Sequence, residues 1–233
     1  MIALIDERMD EACRRALIDR GFEVVRLPAC EILQAPVSAH PDMLLFVGKG
    51  MLFCHEKYYA IAKKEIDLII EQTGLSLSLS GEAWEEKYPS DVLFNAVAMG
   101  DKLICNKRSV SKLILEAYGE ENLINTKQGY TKCSTCAVGA FALITADTSI
   151  ATAARGAGLD VLLLNGSHTV LDGYDTGFIG GASGDDGEHI FFSGSIESHP
   201  EYDKIKSFCT SHGREAISLS DKPLYDYGSI IFI

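Results

Sequence analysis

The feature that most constrains this chain is a recurring run of helix, glycine and strand. A helix reads from Asp6 to Arg20: Asp6 can cap it, Glu7 and Asp10 sit near its positive end, and Gly21 stops it. Phe22–Leu27 then follows a strand pattern. The order recurs with a helix over Glu56–Thr73, the stop Gly74, and the strict alternation Leu75-Ser76-Leu77-Ser78-Leu79-Ser80. A shorter helix opened by Ser109 stops at Gly119 before Asn122–Asn125, and one capped by Asp147 stops near Gly158 before Val161–Leu164. The last, opened by Ser198 with Pro200 in its first turn, stops at Gly213 before Ala216–Leu219.

Four of the five helices follow an apolar strand pair. The pairs are Met43–Val47 with Met51–Cys54, Val92–Val97 with Lys102–Cys105, Ser134–Val138 with Phe141–Thr145, and Gly177–Ala182 with His189–Ser193. Gly-rich turns such as Gly48-Lys49-Gly50 and Gly184-Asp185-Asp186-Gly187 join several partners. Only Met1–Ile5 precedes the first helix, and the missing strand is supplied by the C-terminal segment ending at Ile233. Pairing the two ends leaves no orphan half-module and few open sheet edges. Five helices in 233 residues give a period of about 47, within the repeat range. The expected fold is therefore α/β: a five-bladed pseudo-symmetric propeller of ββαβ modules around a central channel. Residues 1–233 would form one domain, with strand 224–233 completing the first module.

Composition narrows the functional classes. A net charge of −12 gives no electrostatic support for binding nucleic acid. No apolar run approaches the ~18 residues of a membrane span, and the start has no signal-peptide pattern. Seven scattered Cys then read as reduced thiols in a cytoplasmic protein.

The segments Gln128–Cys136, Asp175–Gly184 and Asp226-Tyr227-Gly228-Ser229, within five modules closed by a terminal strand, resemble the pentein or guanidine-modifying-enzyme superfamily. The closest resemblance is to an uncharacterised bacterial branch of it. The superfamily includes deiminases, dimethylarginine hydrolases and amidinotransferases. The resemblance implies a Cys nucleophile for the guanidinium carbon, a His as general acid/base, and carboxylates for the guanidinium nitrogens. In deiminases the Cys ends a Gly-Gly-x-x-His-Cys string near the C-terminus. The matching Tyr227–Phe232 holds neither His nor Cys, and Lys132–Val138 lacks the family His.

The residues themselves offer three candidate sets. Cys133 and Cys136 form a CxxC; on a strand they face opposite ways, as structural thiols, while Lys132 could favour a thiolate at one of them. With no second CxxC and no nearby His, no metal site is expected. Polar residues at the first strand of each module form the second set: Asp42, Asp91, Asn95, Lys132, Asp175 and Asp226, facing one pocket if those strands line the channel, or else capping turns. Ser183 between Gly181 and Gly184 could turn backbone N–H groups towards an anion, and His168 is the histidine placed as a proton shuttle. His40, His55 and His199 flank elements and read as caps. The expected function is binding of a small molecule, an amino acid or guanidino compound, without cofactor, nucleic acid or membrane. The alternative is a hydrolase or transferase acting through Cys133 or Cys136.

Overall fold

The computed structural model describes residues 1–233. Its strands form five separate three-stranded sheets of one pattern, in which a central strand pairs antiparallel on one side and parallel on the other. The first sheet joins β1 (Ile2–Asp6) and β2 (Glu23–Leu27) around helix α1 (Glu11–Asp19). A one-turn helix α2 (Pro41–Leu44) leads into the second, made of β3 (Leu45–Gly48), β4 (Met51–His55) and β5 (Ser76–Ser80), with α3 (Glu56–Ile61) and α4 (Lys63–Thr73) between the last two. The third holds β6 (Val97–Met99), β7 (Lys102–Cys105), α5 (Lys112–Tyr118) and β8 (Leu123–Asn125). The fourth holds β9 (Thr135–Val138), β10 (Ala142–Thr145), α6 (Thr148–Gly156) and β11 (Asp160–Leu163). In the fifth are β12 (Ser183–Asp185), β13 (His189–Phe192), α7 (Tyr202–Ser211) and β14 (Glu215–Ser218).

The ring closes as the terminal strand requires. β15 (Ile231–Phe232) pairs antiparallel with β1, setting Ala3 against Phe232 and Leu4 against Ile231. Phe232 then packs between Phe22 and Phe191, at ring centroids of 4.9 and 5.4 Å, which ties the first module to the fifth. The central strands are apolar because both faces are covered: every residue of β1 and of β10 is buried. β12 packs against β9 and β15, and β6 against β9, so the first strands of the modules surround the axis.

Several boundaries differ from the sequence reading. α1 begins at Glu11, capped by Asp10 through Ala12 N, because Asp6 ends β1 and is held there by Arg8. The Glu56–Thr73 helix breaks at Ala62, and the Ser109 and Ser198 helices begin later, at Lys112 and Tyr202. The first strands are shorter than their apolar runs. Val92–Ala96 and Gly177–Ala182 are turns and loops that precede β6 and β12, and Tyr225–Ile230 precedes β15. No helix is long and apolar enough to cross a membrane.

Candidate functional site

The short segments that precede the first strands converge at the axis. Pro41 starts the single turn of α2, and the Asp42 N–H donates to Gly228 O at 3.1 Å, joining the entrances to β3 and β15. Ser229 N–H donates to Gly181 O at 2.7 Å, and Gly181 N–H to Cys133 O at 2.8 Å, which adds the entrances to β12 and β9. Asn95, entering β6, accepts from Lys132 N at 2.6 Å through its Oδ1 and donates to Asp42 O at 3.1 Å through its Nδ2. Gly181 has no alternative here: a Cβ would lie 1.9 Å from Asp226 Oδ1.

These bonds assemble a buried polar floor. Ser229 Oγ donates to Asp42 Oδ2 at 2.7 Å and accepts from Lys132 Nζ at 2.9 Å. Cys133 Sγ donates to Asp42 Oδ1 at 3.2 Å. Asp226 accepts two backbone donors, Phe178 N at 2.8 Å and Gly228 N at 3.0 Å. His40 lies between two carboxylates, with Nδ1 3.8 Å from Asp226 Oδ1 and Nε2 4.0 Å from Asp6 Oδ2, and Nδ1 has no hydrogen-bond partner.

Burial sets the protonation states. It raises the Asp42 carboxyl, against the pull of Lys132 and Ser229, and pushes Asp226 up to about 7 with help from Asp42. Burial also drives His40 down to about 3, and the Arg8 charge adds to this, so the ring is neutral. The Cys133 thiol is held well above its ordinary range by burial and by the fields of Asp42 and Asp226. Such a thiol is a hydrogen-bond donor, not a poised nucleophile.

Above the floor opens an axial cavity of about 490 Å³. Asp42 and Lys132 line it together with Phe46, Phe94, Ile231 and Phe232, and Asp185 and Arg214, paired at 3.0 Å, stand among its lining residues. The chamber thus combines apolar walls with a few cations and carboxylates, the lining usual for a small-molecule pocket.

Of the sequence candidates, Asp42, Asn95, Lys132, Cys133 and Asp226 meet in the floor, and Ser183 lines the cavity with its hydroxyl donated to Gly180 O. The others lie elsewhere. Cys136 sits in an apolar cluster with Ile190 and Cys209, and burial pushes its thiol up to about 11. Its neighbour in the CxxC, Cys133, lies in the turn before β9 and turns its thiol to Asp42 in the floor. Asp175 is exposed in the loop before Gly177, and His168 is exposed against His199, away from the floor. Asp91 is buried beside Tyr130, apart from the floor's hydrogen bonds. Sequence reasoning passed over His40 and Ser229. The signal for His40 was its place two residues before Asp42, at the entrance to a first strand.

A family described only as one of unknown function, DUF6873, matches residues 4–231. Among curated proteins none matches the sequence. Among solved structures, a dimethylarginine dimethylaminohydrolase from Pseudomonas aeruginosa complexed with citrulline is similar at 11% identity and a TM-score of 0.56, covering 94% of this chain and 91% of that one. SxtG, an amidinotransferase from Microseira wollei in the saxitoxin biosynthetic pathway, is similar at 11% identity and a TM-score of 0.55, covering 92% and 77%. A dimethylarginine dimethylaminohydrolase adduct with 4-chloro-2-hydroxymethylpyridine gives 12% identity and a TM-score of 0.56. The chain has the fold of these proteins, the five-module pentein fold.

Proposed function

Because the chain belongs to the DUF6873 family and is built on the pentein scaffold, we propose that it binds a small amino-acid or guanidino compound in the axial cavity and does not turn it over. The observation that carries this reading is the pairing of Lys132 with Asp42 through Ser229 on the floor of a mostly apolar chamber. Lys132 offers a cation to a ligand carboxylate, and Asp42 offers an acceptor to ammonium or guanidinium nitrogens. Phe46, Phe94 and Ile231 suit the aliphatic stem between the two ends. The likeness to a protein that holds citrulline supports a ligand of this size and class.

Binding is favoured over covalent chemistry by the state of Cys133. A nucleophile needs a thiolate, and two buried carboxylates oppose that charge. Ile231 and Phe232 occupy β15, the strand on which the superfamily string would place its Cys.

The test is a thermal-shift and calorimetric screen of arginine, agmatine, citrulline and the common amino acids. A true ligand at a hundredfold excess over Kd adds about 2.7 kcal/mol of stability, a shift of several degrees. Lys132→Met and Asp42→Asn should abolish the shift. A panel that shifts nothing overturns the reading, as does release of ammonia or an amine that disappears in Cys133→Ser.

A further inference from the structure

Each sheet leaves an outer strand, β2, β5, β8, β11 or β14, that is paired on one side only. Such an edge presents free N–H and C=O groups, and proteins blunt it with charge, brevity or a cover. β2 carries Glu23 and Arg26, β11 carries Asp160, and β14 carries Glu215. β8 is three residues long and lies against α6. β5 uses none of these devices. It runs for five residues, reads Ser-Leu-Ser-Leu-Ser, and packs on its own module's β4 and α3.

Its register decides which groups are free. Ser76 N–H donates to Gly50 O, and the parallel pairing sets Ser76, Ser78 and Ser80 against Met51, Phe53 and His55. The backbone groups of these serines point to β4, so those of Leu77 and Leu79 point outwards. Leu75 N–H is already taken by Thr73 Oγ1 at 3.3 Å. Leu79 is 41% exposed and Leu77 half-buried, and Ile61 and Leu68, on α3 and α4 of the same module, are exposed as well.

We propose that β5 pairs antiparallel with β5 of a second copy of this chain, about a two-fold axis at Ser78, joining the two sheets into one. The strand is its own complement in that register. The outward N–H and C=O of Leu77 exchange bonds with those of Leu79 of the partner subunit, and the two-fold axis repeats the exchange. Leucine meets leucine on one face, and Ser78 meets its own copy on the other. The net charge of −12 repels a like copy, yet none of it lies on β5, and salt screens the rest within about 8 Å at physiological strength. So short an edge makes a small interface, and the dimer is reversible, with a Kd on the order of 10–100 µM. No residue of β5 lines the axial cavity, so this pairing stands or falls independently of the ligand proposed there.

Sedimentation velocity of the full chain, from about 1 to about 500 µM, tests the pairing. The mass should rise from monomer to dimer and stop there, and low salt should weaken the association. With rising concentration the amides of Leu77 and Leu79 should exchange several-fold more slowly in NMR spectra, and the Ser78 amide, already bonded to β4, should change less. Leu79→Lys adds a charge to the edge and Leu77→Pro removes an outward N–H, so each should remain a monomer at the highest concentration. Phe141→Lys, at a 75% exposed turn between β9 and β10, should dimerise like wild type. A wild-type chain that stays monomeric throughout overturns the proposal, as it would if this edge served a different partner. So does growth beyond the dimer, unchanged dimerisation of Leu79→Lys, or loss of the dimer in Phe141→Lys. Should Leu77→Pro fail to fold, Leu79→Lys, at an exposed position, decides alone.

Discussion

Replacing Asp226 by asparagine should remove a fall in stability that the wild-type protein carries between about pH 4 and about pH 7. The carboxyl is raised from its ordinary 3.8 to about 7, by burial first and by Asp42 second. Between those two values the folded protein keeps a proton that the unfolded chain has released. Unfolding is therefore favoured progressively as pH rises, and the effect levels off above about 7. The gap corresponds to roughly 4 kcal/mol if Asp226 titrates alone, and to a share of that if it and Asp42 titrate as a pair. Groups of the opposite kind, such as Asp147 and His40 with their lowered values, tilt the whole curve the other way. The informative quantity is thus the difference between wild type and Asp226→Asn, from urea denaturation across this pH range. At the acid end the variant should be the less stable, because an amide keeps only one acceptor for the two backbone donors of Phe178 and Gly228. The gap should narrow by about 2–4 kcal/mol towards pH 8. Asp42→Asn measured alongside should flatten part of the same slope. Parallel curves for both variants, within about 0.5 kcal/mol, would refute the buried pair.

Three further outcomes follow from the same geometry. Gly228→Ala should cost about 3 kcal/mol or more by chemical denaturation, since φ is +71° and the new Cβ would lie 2.1 Å from His40 Cβ; Gly21→Ala, with open space at a similar φ, should cost only about 1–2. Cys133 should resist iodoacetamide in the native protein at mildly alkaline pH and react after unfolding, as mass spectrometry of the labelled peptide would show; rapid native labelling contradicts the carboxylate-flanked thiol. Deleting Ile231–Ile233 should lower Tm by ten degrees or more, or prevent folding, in a circular-dichroism melt, because β1 loses its antiparallel partner and Phe22 and Phe191 lose Phe232.

The modules were legible in the sequence because their signals are local. A glycine that stops a helix does so through its own φ, and Gly74 and Gly119 both adopt the positive values that their places after helices imply. The pairing of β15 with β1 was legible as a leftover half-module. The starts of the first strands were not. Met43-Leu44, Val92–Ala96 and Tyr225–Ile230 have the composition of strands, yet they bend to bond one another across the axis. Asp42 N to Gly228 O and Ser229 N to Gly181 O are contacts between modules, with no trace in either segment alone. The candidate carboxylates could therefore be named by their positions, while their grouping depended on these turns. Asp175 and Asp42 look alike in sequence, and only the fold separates an exposed loop residue from a floor residue. His40 read as a cap because nothing near it in sequence announces Asp226 or Asp6.

Ring closure and the floor are built from the same stretch of chain, and this couples them. Asp226 and Ser229 supply floor groups, Ile230 N bonds Ser183 O at 3.0 Å, and Ile2 and Ile233 exchange both backbone bonds, at 2.8 and 2.9 Å. Opening β15 from β1 must therefore pull Ser229 away from Asp42 and Lys132. A ligand held by Asp42 and Lys132 binds the closed ring and not the opened one, so it suppresses that opening by the factor 1 + [L]/Kd, about a hundredfold at a hundredfold excess. Amide hydrogen exchange reads this directly. With a saturating ligand of the axial cavity, the amides of Ile2, Ile231 and Ile233 should slow by about that factor, provided they exchange through local opening. The outer strand β5, which pairs only with β4, should change far less. Equal slowing at β5 and β15 would mean that the ligand stabilises the whole chain without touching the closing segment, and the coupling of site to closure would be wrong.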